Sequence, residues 1–147
     1  MTTIEIKPTA ALTPAELVEL FEARVRVFVV EQHCAYQEVD EKDLTAWHVI
    51  LRRSGRLVAA ARIVPHDDGE HISFGRVLVT RDARGQHLAT GLITETLLAI
   101  AAHFPGQSIK IQAQVYLRDW YGSFGFVPVS EPYLEDGIPH VDMVLTR

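Results

Sequence analysis

The chain has 147 residues, of which 48% are apolar and 22% charged, with a formal charge of −5. That length fits a single domain over residues 1–147 with one core, the composition excludes a disordered chain, and the negative balance argues against a broad nucleic-acid surface. No apolar run is long enough to span a bilayer, no basic start with an apolar stretch marks a secretion signal, and the lone cysteine, Cys34, rules out an intrachain disulfide, so a soluble cytoplasmic protein with no membrane partner is expected.

Ile4 and Ile6 lie in a short first strand. At Thr13-Pro14-Ala15-Glu16 a helix begins: Thr13 can cap, proline suits the first helical position, and Glu16 can reach back to the cap. Leu17, Phe21, Val25 and Phe28 follow as one apolar stripe, which predicts a helix to near Val30. Residues 31–45 are acid-rich and aperiodic, a loop or a broken short helix. Trp47, Val49 and Leu51 alternate with His48, Ile50 and Arg52, the pattern of a half-buried strand. Residues 57–64 and 72–79 continue an antiparallel meander through tight turns at Ser54-Gly55 and residues 65–70. Leu88, Leu92, Leu97 and Ile100 mark a long helix that ends before Pro105-Gly106. Alternation over residues 109–115 gives a further strand, residues 119–124 a short helix closed by Gly125, and residues 126–129 with 140–145 a closing hairpin across Glu135-Asp136-Gly137. The order β-α-β-β-β-α-β-α-β-β predicts an α/β (α+β) sheet with helices packed on it.

The junction from Val77 to Leu92 carries the clearest functional signal. An apolar strand meets an Arg-Gly turn and passes directly into an amphipathic helix. Unpaired backbone N–H groups and the positive end of a helix dipole converge there, which suits a phosphate. No lysine and hydroxyl follow the glycine, so a Walker-type site is excluded, and the dinucleotide fingerprint is absent. An ordinary strand-to-helix turn is the plainer alternative for this segment alone.

With this order of elements, the turn resembles that of the GNAT superfamily of acetyl-CoA-dependent N-acetyltransferases. The family pattern is Gln/Arg-x-x-Gly-x-Gly/Ala, and here it reads Arg84-Gly85-Gln86-His87-Leu88-Ala89, with His87 where the middle glycine is usual. Four further segments look like the ElaA-like branch of that superfamily: residues 28–40, Gly75-Arg76-Val77-Leu78-Val79, Trp120-Tyr121-Gly122-Ser123-Phe124-Gly125-Phe126, and Glu135-Asp136-Gly137-Ile138-Pro139-His140. The resemblance spans nearly the whole chain. It implies a mixed, mostly antiparallel sheet of six to seven strands, flanked by helices and splayed at a central cofactor cleft.

It also implies site roles. Amides of Arg84, Gly85, Gln86, His87, Leu88 and Ala89 would hold the pyrophosphate of acetyl-CoA as co-substrate. Val77, Leu78 and Val79 would pair their main chain with the pantetheine arm, with a backbone N–H near Leu78 polarising the thioester carbonyl. Gly75 would permit a bulge that splays this strand. Gln112 and Gln114 are candidates for the pantetheine amides, and Tyr121 matches the family's proton donor. The amine needs a base, for which Glu31, Glu38, Asp40 and His48 are first candidates, His140, Glu135 and Asp136 second. Together the loop acids read as an acidic mouth for a cationic amine. Arg76 reads first as the partner of a loop acid and second as a receptor for an acceptor carboxylate. Trp120 reads as packing, and Cys34 as structural rather than an acyl relay. Seven histidines without ligand spacing predict no metal. The expected function is acetyl transfer by direct attack onto a small-molecule or peptide amine, with no nucleic-acid partner. Free strand edges are compatible with a homodimer. The competing reading is a non-catalytic acyl-CoA sensor or assembly module on the same fold.

Overall fold

In the computed structural model, which describes residues 1–146, strand β1 (Thr2–Pro8) leads into helix α1 (Pro14–Val25). The capping box forms as its residues predict. Glu16 N donates to Thr13 Oγ1 at 3.2 Å, and Thr13 N donates to Glu16 Oε1 at 2.9 Å. The helix then widens into a π-helical turn over Arg26–Glu31, and Cys34 N donates to Val29 O across it. The wider turn adds a residue to the helix after Val25. Leu20, Ala23, Arg24 and Val27 are buried, and Val25, expected on the core face, is exposed.

The acid-rich stretch after it contains one short 3₁₀ turn, Glu41–Leu44. Strands β2 (Trp47–Arg53), β3 (Arg56–Pro65) and β4 (Ile72–Val79) form the predicted antiparallel meander, with β1 on its edge. Helix α2 (Leu88–His103) crosses over to β5 (Ile109–Gln114), which runs parallel to β4. After α3 (Arg118–Gly122) come β6 (Val127–Pro128), β7 (Tyr133–Glu135) and β8 (Ile138–Leu145). The sheet order is β1-β2-β3-β4-β5-β8-β6, with β7 also paired to β8, eight strands in all. The extra strand arises because the closing hairpin joins β7 to β8. Residues 127–128 pair separately with Met143 and Val144. Asp136 and Gly137 both take positive φ (51° and 76°), the geometry of a tight two-residue hairpin turn.

Both faces of the sheet are covered. Val49, Leu51, Ala59, Ala61 and Ile63 pack with α2, while Ile50, Leu57, Ala60 and Leu78 pack with α1. Strand β2 is therefore buried on both sides at residues 48–51 rather than half-buried. Among the described residues no helix is long and apolar enough to cross a membrane.

Gly125 closes the turn after α3 at φ 101°, and a Cβ built there would stand 3.0 Å from Leu145 Cδ1 on β8. Gly125→Ala is expected to destabilise the fold by about 1–3 kcal/mol, read as a lowered urea midpoint, through strained backbone and contact with β8.

Candidate active site

Strands β4 and β5 pair at one position only, Ile72 with Ile109 near their N-terminal ends. Beyond it they part, and the gap opens into a cavity of about 670 Å³. Its walls come from β4, β5, α3 and the β7–β8 hairpin. On the other side of β4 the register slips between Ala60 and Arg62, so β4 carries one extra residue there. The bulge was expected at Gly75, but the left-handed residue is Arg76 (φ 48°). Thr80 N donates to Val58 O at 2.8 Å on β3. By strand alternation the Leu78 N–H also turns toward β3, and Val77 and Val79 present their main chain to the gap.

The turn after β4 is braced by its side chains. Arg84 Nε donates to Val79 O at 2.9 Å, Arg84 Nη2 donates to Glu31 Oε1 at 2.6 Å, and Gln86 Oε1 accepts from Arg53. Gly85 and His87 are both left-handed, at φ 79° and 60°. His87 is the residue before α2, and its side chain does not cap the helix. The amides of the first turn, Leu88 to Thr90, therefore have no intrahelical acceptor and no side-chain cap. A glycine would relax at this φ, whereas a histidine costs about 1–2 kcal/mol.

Tyr121, 6% exposed, packs its ring against Phe74, Trp120 and Phe126 and borders the cavity. No hydrogen bond among the described residues engages its hydroxyl, and burial, with Tyr116 nearby, pushes its pKa up to about 12. His140 borders the same cavity from β8. Its Nδ1 lies 2.7 Å from Ile138 O, so Nδ1–H donates to that carbonyl and Nε2 keeps its lone pair. Glu135 Oε2 lies 3.8 Å from Nε2, and the Tyr133 ring stacks on the imidazole.

Comparison with known proteins decides the family. The family model described as Acetyltransferase (GNAT) domain matches residues 11–147. Protein ElaA of Escherichia coli is 42% identical over 135 residues, covering 90% of this chain and 88% of its own. A UPF0039 protein of Schizosaccharomyces pombe is 41% identical, covering 92% of this chain and 91% of its own. The crystal structure of an acyl-CoA N-acyltransferase from Pseudomonas aeruginosa superposes with a TM-score of 0.93 at 39% identity, covering 98% of this chain and 99% of that one. The corresponding values for the crystal structure of E. coli ElaA are 0.91, 38%, 98% and 99%.

The chain belongs to the GNAT acetyltransferase family. Membership supports acyl transfer from an acyl-CoA as its general chemistry, and the open mixed sheet is that of its GNAT neighbours.

In this GNAT chain the acids after α1 do not form an acidic mouth. Arg24, 1% exposed, donates from Nε to Glu38 Oε1 (3.0 Å), from Nη1 to Asp43 Oδ1 (2.7 Å) and from Nη2 to Asp43 Oδ2 (3.0 Å). Arg62 donates to both oxygens of Asp40, at 2.8 and 3.2 Å. Tyr36 OH donates to Glu38 Oε2 at 2.6 Å, and Arg76 Nε lies 2.7 Å from that same oxygen. Three arginines thus neutralise three carboxylates. Arg62 and Arg24 hold the Asp40 and Asp43 carboxyls below the usual range, Asp43 at about 2 against the opposing effect of burial. Glu38 and Asp40 do not line the cavity, whereas Val77, Leu78, Val79, Ala89, Gln112, Gln114, Glu135 and Asp136 do. Arg84 lines an adjoining hollow with Glu31 and Val79. Cys34 and Trp120 also border the cavity. Arg24 and Arg62 were passed over in the sequence, although an arginine inside the apolar run of residues 57–64 is a signal that a buried partner is needed.

His48 lies away from the cavity, 1% exposed, between β1 and β3. Thr9 Oγ1 donates to Asp43 O at 2.5 Å, so His48 Nε2 donates to Thr9 Oγ1 at 2.7 Å, and Nδ1 stays buried without a partner. Burial, reinforced by the Arg24 charge, lowers its pKa to about 4. The unfolded chain, with histidine near 6.5, binds the extra proton first as pH falls. Stability conferred by neutral His48 is therefore complete above pH ~6.5 and lost on descending to about 4, by roughly 3 kcal/mol. Urea titrations between pH 7 and 4.5 are expected to show this slope in the wild type and a flatter one in His48→Gln.

Proposed function

We propose that this protein transfers the acetyl group of acetyl-CoA to the primary amine of a small molecule or peptide by direct attack in a ternary complex, with residues 1–147 acting as one transferase domain. The observation that carries this reading is the pairing of Tyr121 and His140 on one cavity, each with its reactive atom free of a hydrogen-bond partner. The turn fits the diphosphate: it has left-handed backbone at Gly85 and His87, uncapped amides at Leu88 and Ala89, and side chains of Arg84 and Gln86 braced elsewhere. The main chain of Val77 and Val79 fits the peptide-like arm, with Gln114 beside it. On this reading Val79, rather than Leu78, offers its N–H to the thioester oxygen.

An amine with pKa ~10.4 costs roughly 4.6 kcal/mol to deprotonate at pH 7, so a base is needed. His140 Nε2 takes that proton, and Glu135 stabilises the imidazolium that results. The neutral amine attacks the thioester carbon, the C–N bond forms, and the C–S bond breaks. Tyr121, protonated throughout the neutral range, passes its proton to the departing sulfur, and the second N–H proton of the attacking nitrogen, acidic once the C–N bond has formed, restores the Tyr121 phenol. At pH 7 a thiol of pKa ~8.5 lies roughly 2 kcal/mol below its thiolate, a gain realised once Tyr121 has regained its proton. Glu38 and Asp40 serve by holding the loop after α1, and His48 by filling the core. The strained His87 favours one second reading, an acyl-CoA sensor on the same fold.

Tyr121→Phe is expected to lower kcat ~10- to 100-fold and His140→Gln ~100- to 10,000-fold. In both variants the calorimetric affinity for acetyl-CoA should be unchanged. Free thiol released across an amine panel checks the first part. No heat with either CoA or acetyl-CoA in the wild type would overturn the transferase and the sensor alike, whereas tight binding without any acceptor would favour the sensor.

A further inference from the structure

Three cations of fixed charge line the cavity among the described residues: Lys42, Arg62 and Arg76. Lys42 is paired with Asp67 at 2.8 Å, and Arg62 spends both terminal nitrogens on Asp40 with a side chain 7% exposed. Arg76 differs from both. Its side chain is 23% exposed, and Nη2 donates to Glu38 O at 3.1 Å and stands 3.6 Å from Asp40 Oδ2. Nε faces Glu38 Oε2 without the alignment of a hydrogen bond, and Nη1 has no partner among the described residues. Both Glu38 oxygens also accept hydrogen bonds from Arg24 and Tyr36, so Arg76 supplies charge to Glu38 but not its hydrogen bonds. The Tyr36 ring lies 5.4 Å from the Arg76 guanidinium carbon, a cation–π contact that orients the fork. Arg76 also occupies the left-handed bulge residue of β4, a conformation that costs an L-residue about 1–2 kcal/mol. Arg76 is thus a counter-ion to Glu38 and Asp40 on one edge of its fork, while its strained backbone stands beside the cleft and Nη1 stays unspent.

We propose that Arg76 binds a carboxylate of the acceptor, so that the acceptor class is an amine bearing a free acid, an amino acid or the C-terminal end of a short peptide. This rests on the transferase reading above. Arg76 stands on the β4 wall and His140 on the β8 wall, with Gln112 and Gln114 of β5 between them, so one molecule can present its acid to the first and its amine to the second. The planar fork suits a carboxylate bidentately, which lysine cannot copy.

The test compares free L-amino acids and glycylglycine with their matched carboxamides, and with spermidine, as acceptors of acetyl-CoA. The carboxamide amine has no neighbouring negative charge and is at least as easily deprotonated, so intrinsic reactivity does not favour the acid. Wild-type protein is expected to prefer the acids at least tenfold in kcat/KM. Arg76→Lys keeps a cation beside Glu38, and Arg76→Gly suits the left-handed backbone. Both should raise KM for the acids roughly 10- to 100-fold while leaving KM for the carboxamides within about twofold. Melting temperature and CoA affinity near wild type establish that the variants are folded. Equal or better use of carboxamides or spermidine would overturn the assignment while leaving acyl transfer intact. If no amine is acetylated, the transferase reading fails, and calorimetry of N-acetyl amino acids against their amides in the presence of CoA decides Arg76 separately. Acid-selective heat lost in Arg76→Gly would uphold it, and no selectivity would overturn it.

Discussion

The parting of β4 from β5 after a single paired position is the constraint on which the site depends. The main-chain N–H and C=O groups that face the gap along the separated halves lose a sheet partner, a cost the protein bears only where another donor or acceptor replaces it. The separation is held open from outside the gap. On one side β4 is tied to β3 through a register that absorbs an extra residue, and on the other β5 is zipped to β8 over six paired positions. The aromatic packing of Phe74, Tyr121 and Phe126 fills the space where the strands begin to diverge. On the function proposed above, the peptide-like arm of the co-substrate restores the missing pairing, which links the energetics of the open sheet to binding.

The six-charge network provides a second fixed point. It connects α1 through Arg24, the following loop through Glu38, Asp40 and Asp43, β3 through Arg62 and β4 through Arg76. Buried ion pairs often add little net stability over apolar packing, but the loss of one partner is severe, because a charge is then left buried and alone. Such a network specifies geometry more than it contributes free energy. Here it seats an aperiodic loop, with few apolar residues of its own, against β3 and β4 beside the cleft. It also keeps the bulged residue of β4 facing that side.

Much of this was legible along the chain. Capping residues, tight turns and apolar periodicity located both main helices and most strands, because those signals act over a few neighbouring residues. The strand-to-helix turn at residues 84–89 was readable as backbone for the same reason, as was the short aromatic helix that carries Tyr121. The exposure of Val25 was not readable, since the face of α1 that is buried, Leu20, Ala23, Arg24 and Val27, is chosen by packing against the sheet. Nor was the two-sided burial of β2, which depends on two distant helices. The loop acids were misread as an open mouth because their partners are far along the chain. Asp40 is 22 residues from Arg62, and Glu38 is 14 from Arg24 and 38 from Arg76.

By itself the amino-acid order determined the succession of elements, the phosphate-type turn and the family resemblance, all products of local backbone preference and short-range spacing. The tertiary structure alone decided which charges are spent and which are free. That outcome depends on how burial and distance distribute a limited set of partners: Arg24 and Arg62 are consumed in the interior, while Arg76 and His140 keep unspent nitrogens facing one cavity.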